Sequence, residues 1–349
     1  MARRPTIADL AERAGVSVAT VDRVLNDRLR VREETARRVY EAAAAIGYHA
    51  AALIHQRITA DLPRMDFGFL LHKEGQPFYQ AFARALEAAV AARHDIRGRA
   101  HVAFVRNQAP GEMTEALRSL GARTQVLAAT SLDHHAVTRT VEALKGEGKL
   151  VFSLLSDFAQ GVRESYIGLN NKKVGRTAAW MIARTARRPG KVAIFVGSHR
   201  WHGHELRETG FRSFFREHAP QFEILETLVN LETRQVTYEA TLNLLDRYPD
   251  IAGFYVAGGG MEGAIGALRE ALEEGRFQTG NGPSVIVNEL TPDSTAALQD
   301  QVVTAVIATP LHELAQALVE LMVGAVRTGP AEMPGQLFLP LGLHVPESL

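Results

Sequence analysis

The sequence predicts an α/β fold in which a small helical region precedes a body of two lobes, each organised around a parallel sheet. Three observations predict it. Residues 1–60 place apolar side chains at helical spacing and contain no strand-like run. From Met65 onward, short apolar runs alternate with longer amphipathic stretches, the pattern of a parallel sheet with crossover helices. Nine such runs are too many for one small sheet, so the body divides in two. A chain of 349 residues is long enough for both lobes beside a separate small domain.

The first helix opens at Thr6, which forms a capping box with Asp9 three residues on. Leu10, Ala11 and Ala14 then share one apolar face, and Gly15 supplies the left-handed stop. Ser17 caps a second helix that runs through Leu25. Only Gly15-Val16-Ser17 separates the two helices, and so short a turn makes them cross steeply, as in a helix-turn-helix. Val21, Val24 and Leu25 face inward on the second helix, while Val18, Ala19, Asp22 and Arg23 lie on the opposite side. A third helix over 32–46 closes this bundle with Thr35, Val39, Ala43 and Ile46, and Gly47 ends it. A linker follows over 57–64.

In the body, strands are expected at 66–71, 100–106, 125–128, 150–155, 192–197, 224–229, 253–257, 284–288 and 304–308. Helices are expected at 78–92, 172–186, 206–217, 236–247, 262–274 and 311–327. No repeat of 20–50 residues occurs.

Composition removes several function classes. Lys plus Arg and Asp plus Glu are both 39, so no global field advertises a polyanionic partner. Residues 1–60 alone carry ten Arg against seven acids. The absence of cysteine excludes disulfides, thiolate nucleophiles and Cys-ligated zinc. No window of about 18 apolar residues exists, so no membrane partner is expected. Asp9 and Glu12 fall where a secretory leader would be apolar, and a cytoplasmic location is the expectation.

The string Thr6-Ile7-x-Asp9-Leu10-Ala11-x-x-Ala14-Gly15-Val16-Ser17-x-x-Thr20-Val21-x-Arg23-Val24-Leu25-Asn26, with Val31-Arg32-x-x-Thr35 and Ala45-Ile46-Gly47-Tyr48 after it, resembles the headpiece of the LacI family of transcriptional regulators. The resemblance implies a DNA-binding headpiece over 1–48, a hinge over 49–64 and a ligand-binding core over 65–345. It assigns base reading to Val18, Ala19 and Arg23, and phosphate contact or helix positioning to Thr6, Ser17, Thr20, Asn26 and Tyr48. Arg23 has the reach for a bidentate contact to guanine, whereas Val18 and Ala19 can touch only thymine methyls or define shape.

Two positions depart from the family. Asp22 stands where a neutral polar residue is usual, and it either pairs with a nearby arginine such as Arg23 or accepts from cytosine N4. In the hinge, Arg57 occupies the position of the leucine that the family wedges into the minor groove, with Leu53 or Ile54 available by a change of register.

The body resembles the periplasmic sugar-binding fold that forms the core of that family. Lobe 1 is then expected at about 65–168 and 310–329, and lobe 2 at about 169–309 and 330–345, with chain crossings near 168–171, 308–310 and 329–331. Ligands in such folds bind at the C-terminal ends of strands. That rule selects Phe78 and Tyr79, Asp157, Asn170 and Asn171, the run 198–205 with His199, Trp201 and Glu205 foremost, Gly260 with Met261 and Glu262, Glu289 and Thr309. Compared with ribose-binding members, Glu289 keeps a carboxylate, but Glu205 and Gly260 replace an arginine and an amide. The effector implied is a small sugar or polyol.

Sharper alternatives explain less. Gly258-x-Gly260-x-x-Gly263 spells a dinucleotide motif, but it lies late in the chain, and the next strand-end acid, Glu289, comes 26 residues beyond Gly263. His199, His202, His204 and Glu205 match no metal-ligand spacing, and Ser198 lacks the flanking glycines of a nucleophile elbow. No metal or cofactor is expected. The reading is a ligand-responsive transcriptional regulator, by default a repressor, that binds a pseudo-palindromic double-stranded operator as a homodimer. The alternative is a cytosolic sugar- or nucleotide-processing enzyme with a helical cap.

Overall fold

The computed structural model describes residues 4–26, 31–58 and 62–349. The chain divides into two compact units, residues 1–65 with 91–99 and residues 66–90 with 100–349.

The first unit holds α1 (Ile7–Ala14), α2 (Val18–Asn26), α3 (Glu33–Ala45) and α4 (Ala51–Ile58). The Thr6 capping box forms, and Gly15 adopts φ 65° at the end of α1. Leu10, Val21, Val39 and Ala43 are fully buried together, and Tyr48 closes the same small core. Stretch 51–58, which lacks any motif of its own, is helical because Ile54 docks into that core and α4 packs on α2 and α3.

The second unit is built on β1 (Arg64–His72), α5 (Pro77–Ala91), β2 (Arg97–Val105), α6 (Pro110–Gly121), β3 (Val126–Ala129), α7 (His135–Gly146), β4 (Leu150–Leu154) and β5 (Ser165–Leu169). The chain continues through α8 (Asn171–Thr185), β6 (Lys191–Val196), α9 (His202–His218), β7 (Glu223–Ile224), β8 (Leu228–Val229), α10 (Arg234–Arg247) and β9 (Gly253–Val256). It ends with α11 (Met261–Glu273), β10 (Ser284–Asn288), α12 (Pro292–Gln299), β11 (Ala305–Ala308), α13 (Leu311–Thr328), β12 (Gly335–Leu339) and β13 (Gly342–His344).

Two sheets result, ordered β12-β5-β4-β3-β1-β2 and β13-β11-β10-β9-β6-β7, with β8 also on β6. Every pairing within the first-lobe strands β1, β3, β4, β5 and β12 is parallel, whereas β13 runs antiparallel to β11. Leu70, Leu127 and Val151 meet Met113, Leu117 and Val141 of α6 and α7 on one face of the first sheet, and α13 covers β3, β4 and β5. The second sheet is buried on both faces, which is why its strands are continuous apolar runs.

Several elements differ from expectation, among them helices α6, α7 and α12 and strands β12 and β13, which no expected run covers. The strand expected at 224–229 is two short pairings, because Thr227 turns aside to bond Glu208 and Arg212. Strand β5 was not anticipated. The final crossing lies at Pro340-Leu341 rather than near 329–331, because β12 pairs with β5 from Gly335 opposite Ser165 to Leu339 opposite Leu169. Residues 330–339 therefore belong to the first lobe. Among the described residues, no helix is long and apolar enough to cross a membrane.

Candidate nucleic-acid face and ligand pocket

In the helical unit, Ser17 Oγ accepts the Thr20 N–H at 3.1 Å and so fixes the start of α2. With Val21 and Val24 buried, Val18, Ala19, Arg23 and Asn26 are left exposed on one side of α2. Asn26 donates to Asp22 Oδ1 at 2.6 Å, so the pairing partner of Asp22 within the helix is an amide and not Arg23. Arg38 of α3, which the sequence reading passed over, donates to the carbonyls of Ala14 at 2.8 Å and Gly15 at 3.1 Å. It satisfies the free C-terminal carbonyls of α1 and pins the turn that sets α2. Tyr48 is 8% exposed and serves first as a core ring. Ile54 is buried and Leu53 is 43% exposed, so among the described residues Leu53 is the large apolar side chain α4 presents; the Arg57 side chain lies outside the described residues.

In the second unit, a cleft of about 760 Å³ including its mouth opens between the two lobes at the strand C-termini. Its aromatic wall is Phe78, Tyr79 and Trp201. Trp201, at the start of α9, inserts into the apolar core of the first lobe beside His72, with ring centroids 5.5 Å apart. Its polar wall is carried by α9 and by three loops of the second lobe. His204 Nδ1 accepts the Gly197 N–H at 3.1 Å, which places the ring proton on Nε2, 3.5 Å from Glu232 Oε1. Burial drives the His204 pKa down to about 4, so the ring is neutral at pH 7.

Burial alone would raise the Glu232 carboxyl, but His204, Lys73 and the Gly259 N–H at 3.1 Å outweigh it and leave it below the usual range. Glu289 accepts both the N–H and the hydroxyl of Thr309, at 2.8 and 2.7 Å; burial nonetheless holds its carboxyl above the usual range. Arg207 donates through Nε to Asn171 at 2.7 Å and through Nη1 to the Ala257 carbonyl at 2.5 Å. Asn171 in turn donates to the Leu155 carbonyl at 2.9 Å, linking the arginine to the first crossing. Among the described residues, no three His, Asp or Glu side chains are placed to hold a metal ion.

Comparison with known proteins bears on both units. Residues 67–330 match the periplasmic binding protein domain family, and residues 6–50 match the lacI family of bacterial regulatory proteins. The chain belongs to the periplasmic binding protein domain family and carries a lacI-type segment at its N-terminus. An uncharacterised HTH-type transcriptional regulator from Streptomyces limosus is 27% identical over 219 residues, which covers 61% of this chain and 58% of that protein. The ribose operon repressor of Bacillus subtilis is 41% identical over 85 residues, 24% of each chain. This chain thus spans less than two thirds of either relative. A solute-binding protein of Burkholderia graminis in complex with D-arabinose superposes with a TM-score of 0.72 at 17% identity, covering 82% of this chain and 96% of the other. That likeness establishes the two-lobe fold.

Within the periplasmic-binding-protein core, the structure brings Phe78, Tyr79, Trp201 and Glu289 together at the cleft, with Thr309 one bond behind Glu289. It does not bring Asp157, Asn170, His199 or Glu205 there. Asp157 is 5% exposed and held by Arg163 through two 2.6 Å bonds, and Ser153 donates to it as well, so its carboxylate is spent inside the first lobe. Asn170 caps α8 by accepting the Lys173 N–H. His199 and Glu205 point away from the cleft, their side chains 64% and 63% exposed.

Gly260 takes φ 90° at the start of α11, and a Cβ there would lie 2.4 Å from Thr237 Oγ1. A Cβ on Gly263 would meet the Arg234 carbonyl at 2.0 Å. Two glycines of the dinucleotide-like motif therefore serve the packing of α10 on α11. Sequence reasoning missed Arg207, Glu232 and Asn288 at the cleft, and reached His204 only as one member of the run 198–205. Trp201, His204 and Arg207 recur every three residues on one face of α9, a signal that would have replaced Glu205 with its neighbours.

Proposed function

We propose that the chain is a ligand-responsive, sequence-specific DNA-binding regulator that acts from the cytoplasm by binding rather than by turnover. Its operator affinity is switched by a small sugar-like molecule in the cleft. The observation that carries this reading is the joint presence of two surfaces in one chain: the exposed Val18, Ala19 and Arg23 face of α2, and a cleft lined by aromatic rings beside buried, hydrogen-bonded polar groups. The ribose operon repressor among the relatives and the arabinose-bound fold neighbour support the same pairing of roles.

One recognition helix reads only a few base pairs, so a homodimer on a pseudo-palindromic site is the economical arrangement, with repression as its default direction. Ligand binding shifts the population of lobe arrangements, and operator affinity follows by linkage.

The test is capture of genomic fragments by the full chain, followed by anisotropy titrations at two salt concentrations with the captured site. Selective binding that Arg23→Ala weakens by about 1–3 kcal/mol supports the reading. Weak binding that is indifferent to sequence and to Arg23 overturns it.

A further inference from the structure

The charge in the cleft is unbalanced. Three carboxylates line it, on Glu232, Glu262 and Glu289, against one lining guanidinium, Arg207. The nearby Lys73 ammonium donates to the carbonyls of Leu231 and Glu232 and keeps its positive charge, so three acids face two permanent cations. His204 adds no charge at neutral pH.

Of the three acids, Glu289 is bonded at both oxygens by Thr309, and Glu232 at Oε1 by Gly259 with His204 beside it. Glu262, in the first turn of α11, accepts no hydrogen bond from any other described residue; burial raises its carboxyl, which marks an anion short of solvation. Unpartnered buried polar groups point to a ligand independently. Trp201 Nε1, Thr130 Oγ1 and both side-chain polar atoms of Asn288 lack hydrogen-bond partners, on residues no more than 3% exposed that line the same cleft. A buried N–H and a buried amide left open in this way call for hydroxyl groups that both accept and donate.

Taking the cleft as an effector pocket, we propose that its ligand is a polyhydroxylated compound bearing a protonated amine, with Glu262 as the ammonium's principal counter-charge. The hydroxyls complete Trp201, Thr130 and Asn288, and one sugar face lies on Phe78. The amine supplies the positive charge that Arg207 and Lys73 together do not. Phosphorylated and carboxylated sugars are disfavoured on the same ground, because their anion would meet three cleft carboxylates against two cations.

The experiment is calorimetric titration of the full chain at pH 7 with matched sets. Each set comprises a neutral sugar (D-glucose, D-galactose or D-arabinose), its amino-deoxy forms at each ring position, and its phosphate; myo-inositol and its amino-deoxy forms make a fourth. The expected result is at least tenfold tighter binding of an amine than of its hydroxyl parent in one set. Glu262→Gln should reduce that preference at least fivefold, the amine losing more affinity than its neutral parent. Which set responds separates an amino sugar from an aminocyclitol. A neutral or phosphorylated member that binds tighter than every amine overturns the proposal and leaves the effector pocket standing. An amine preference that Glu262→Gln leaves intact also overturns it. If no compound of any charge binds, the proposal and the effector reading fail together.

Discussion

The ammonium of Lys73, on the loop that leaves β1 in the first lobe, donates to the carbonyl of Glu232 in the second lobe at 2.7 Å and to that of Leu231 at 2.9 Å. All three residues hold left-handed backbone, at φ 45° for Lys73, 52° for Leu231 and 53° for Glu232. Such conformations cost non-glycine residues about 1 kcal/mol or more each, and they persist where surrounding bonds dictate them. The lysine therefore fastens a strained loop from one lobe to a strained loop of the other, and the second loop carries a cleft carboxylate. Lys73→Met should loosen the closed arrangement. The expected outcome is a larger radius of gyration by small-angle scattering and a loss of about 1–2 kcal/mol in urea unfolding.

His204 gives the protein a pH-dependent stability with a definite sign. Its pKa is about 4 when folded, against 6.5 for an unperturbed histidine. Between those values the unfolded chain binds the extra proton, so the contribution is complete above pH 6.5 and is lost as pH falls toward 4. The loss approaches about 3 kcal/mol at the lower end. Comparing urea midpoints of the wild type and His204→Gln across pH 4–7 isolates this term; a difference that does not vary with pH would show that His204 is not buried in neutral form.

Asp22 and Asn26 form a hydrogen-bonded pair one turn apart on the exposed side of α2. If the carboxylate only repels phosphate, Asp22→Asn should tighten binding to all duplexes by a similar factor, about threefold to fivefold. Weakened binding confined to one substituted base pair would mean instead that Asp22 accepts from a cytosine N4. Anisotropy with the captured operator and its single-base variants distinguishes the two.

Asp157 and Arg163 form a buried ion pair whose guanidinium also donates to the Gly335 carbonyl at 2.8 Å. Removing one partner strands the other charge, so Asp157→Ala should cost about 3–5 kcal/mol in urea unfolding. The double substitution Asp157→Leu with Arg163→Met should recover much of that loss. Neither change should alter ligand selectivity, since the pair belongs to the anchoring of β12 and not to the cleft.

The helical unit was the most legible part of the sequence because its signals are local. Thr6 with Asp9, Gly15 and Ser17 each act within a turn of where they are written. Strands such as β6 and β10, buried on both faces, announce themselves as apolar runs. Strand β12 does not: it lies on a sheet edge with alternately exposed residues, and only its pairing with β5 defines it. The cleft follows the same division. The strand-end rule led to Phe78, Trp201 and Glu289, but it names a loop without saying which of its side chains turn inward. His199 and Glu205 therefore stood in for His204 and Arg207, and Asp157 was credited with a ligand when its partner, Arg163, lay six residues on. Glu232 sits after a strand of two residues, too short to leave any pattern.

The placement of Trp201 has an optical consequence. The chain has only two tryptophans, and Trp180 is 44% exposed on α8, whereas Trp201 is 3% exposed with its indole set in the apolar core of the opposite lobe. Trp180 should emit as a partly solvated indole and Trp201, in its dry surroundings, further to the blue. Parting of the lobes would draw Trp201 into water and move its spectrum to the red. With Trp180→Phe the remaining fluorophore reports cleft opening alone, in an unlabelled protein and at the concentrations where it meets DNA.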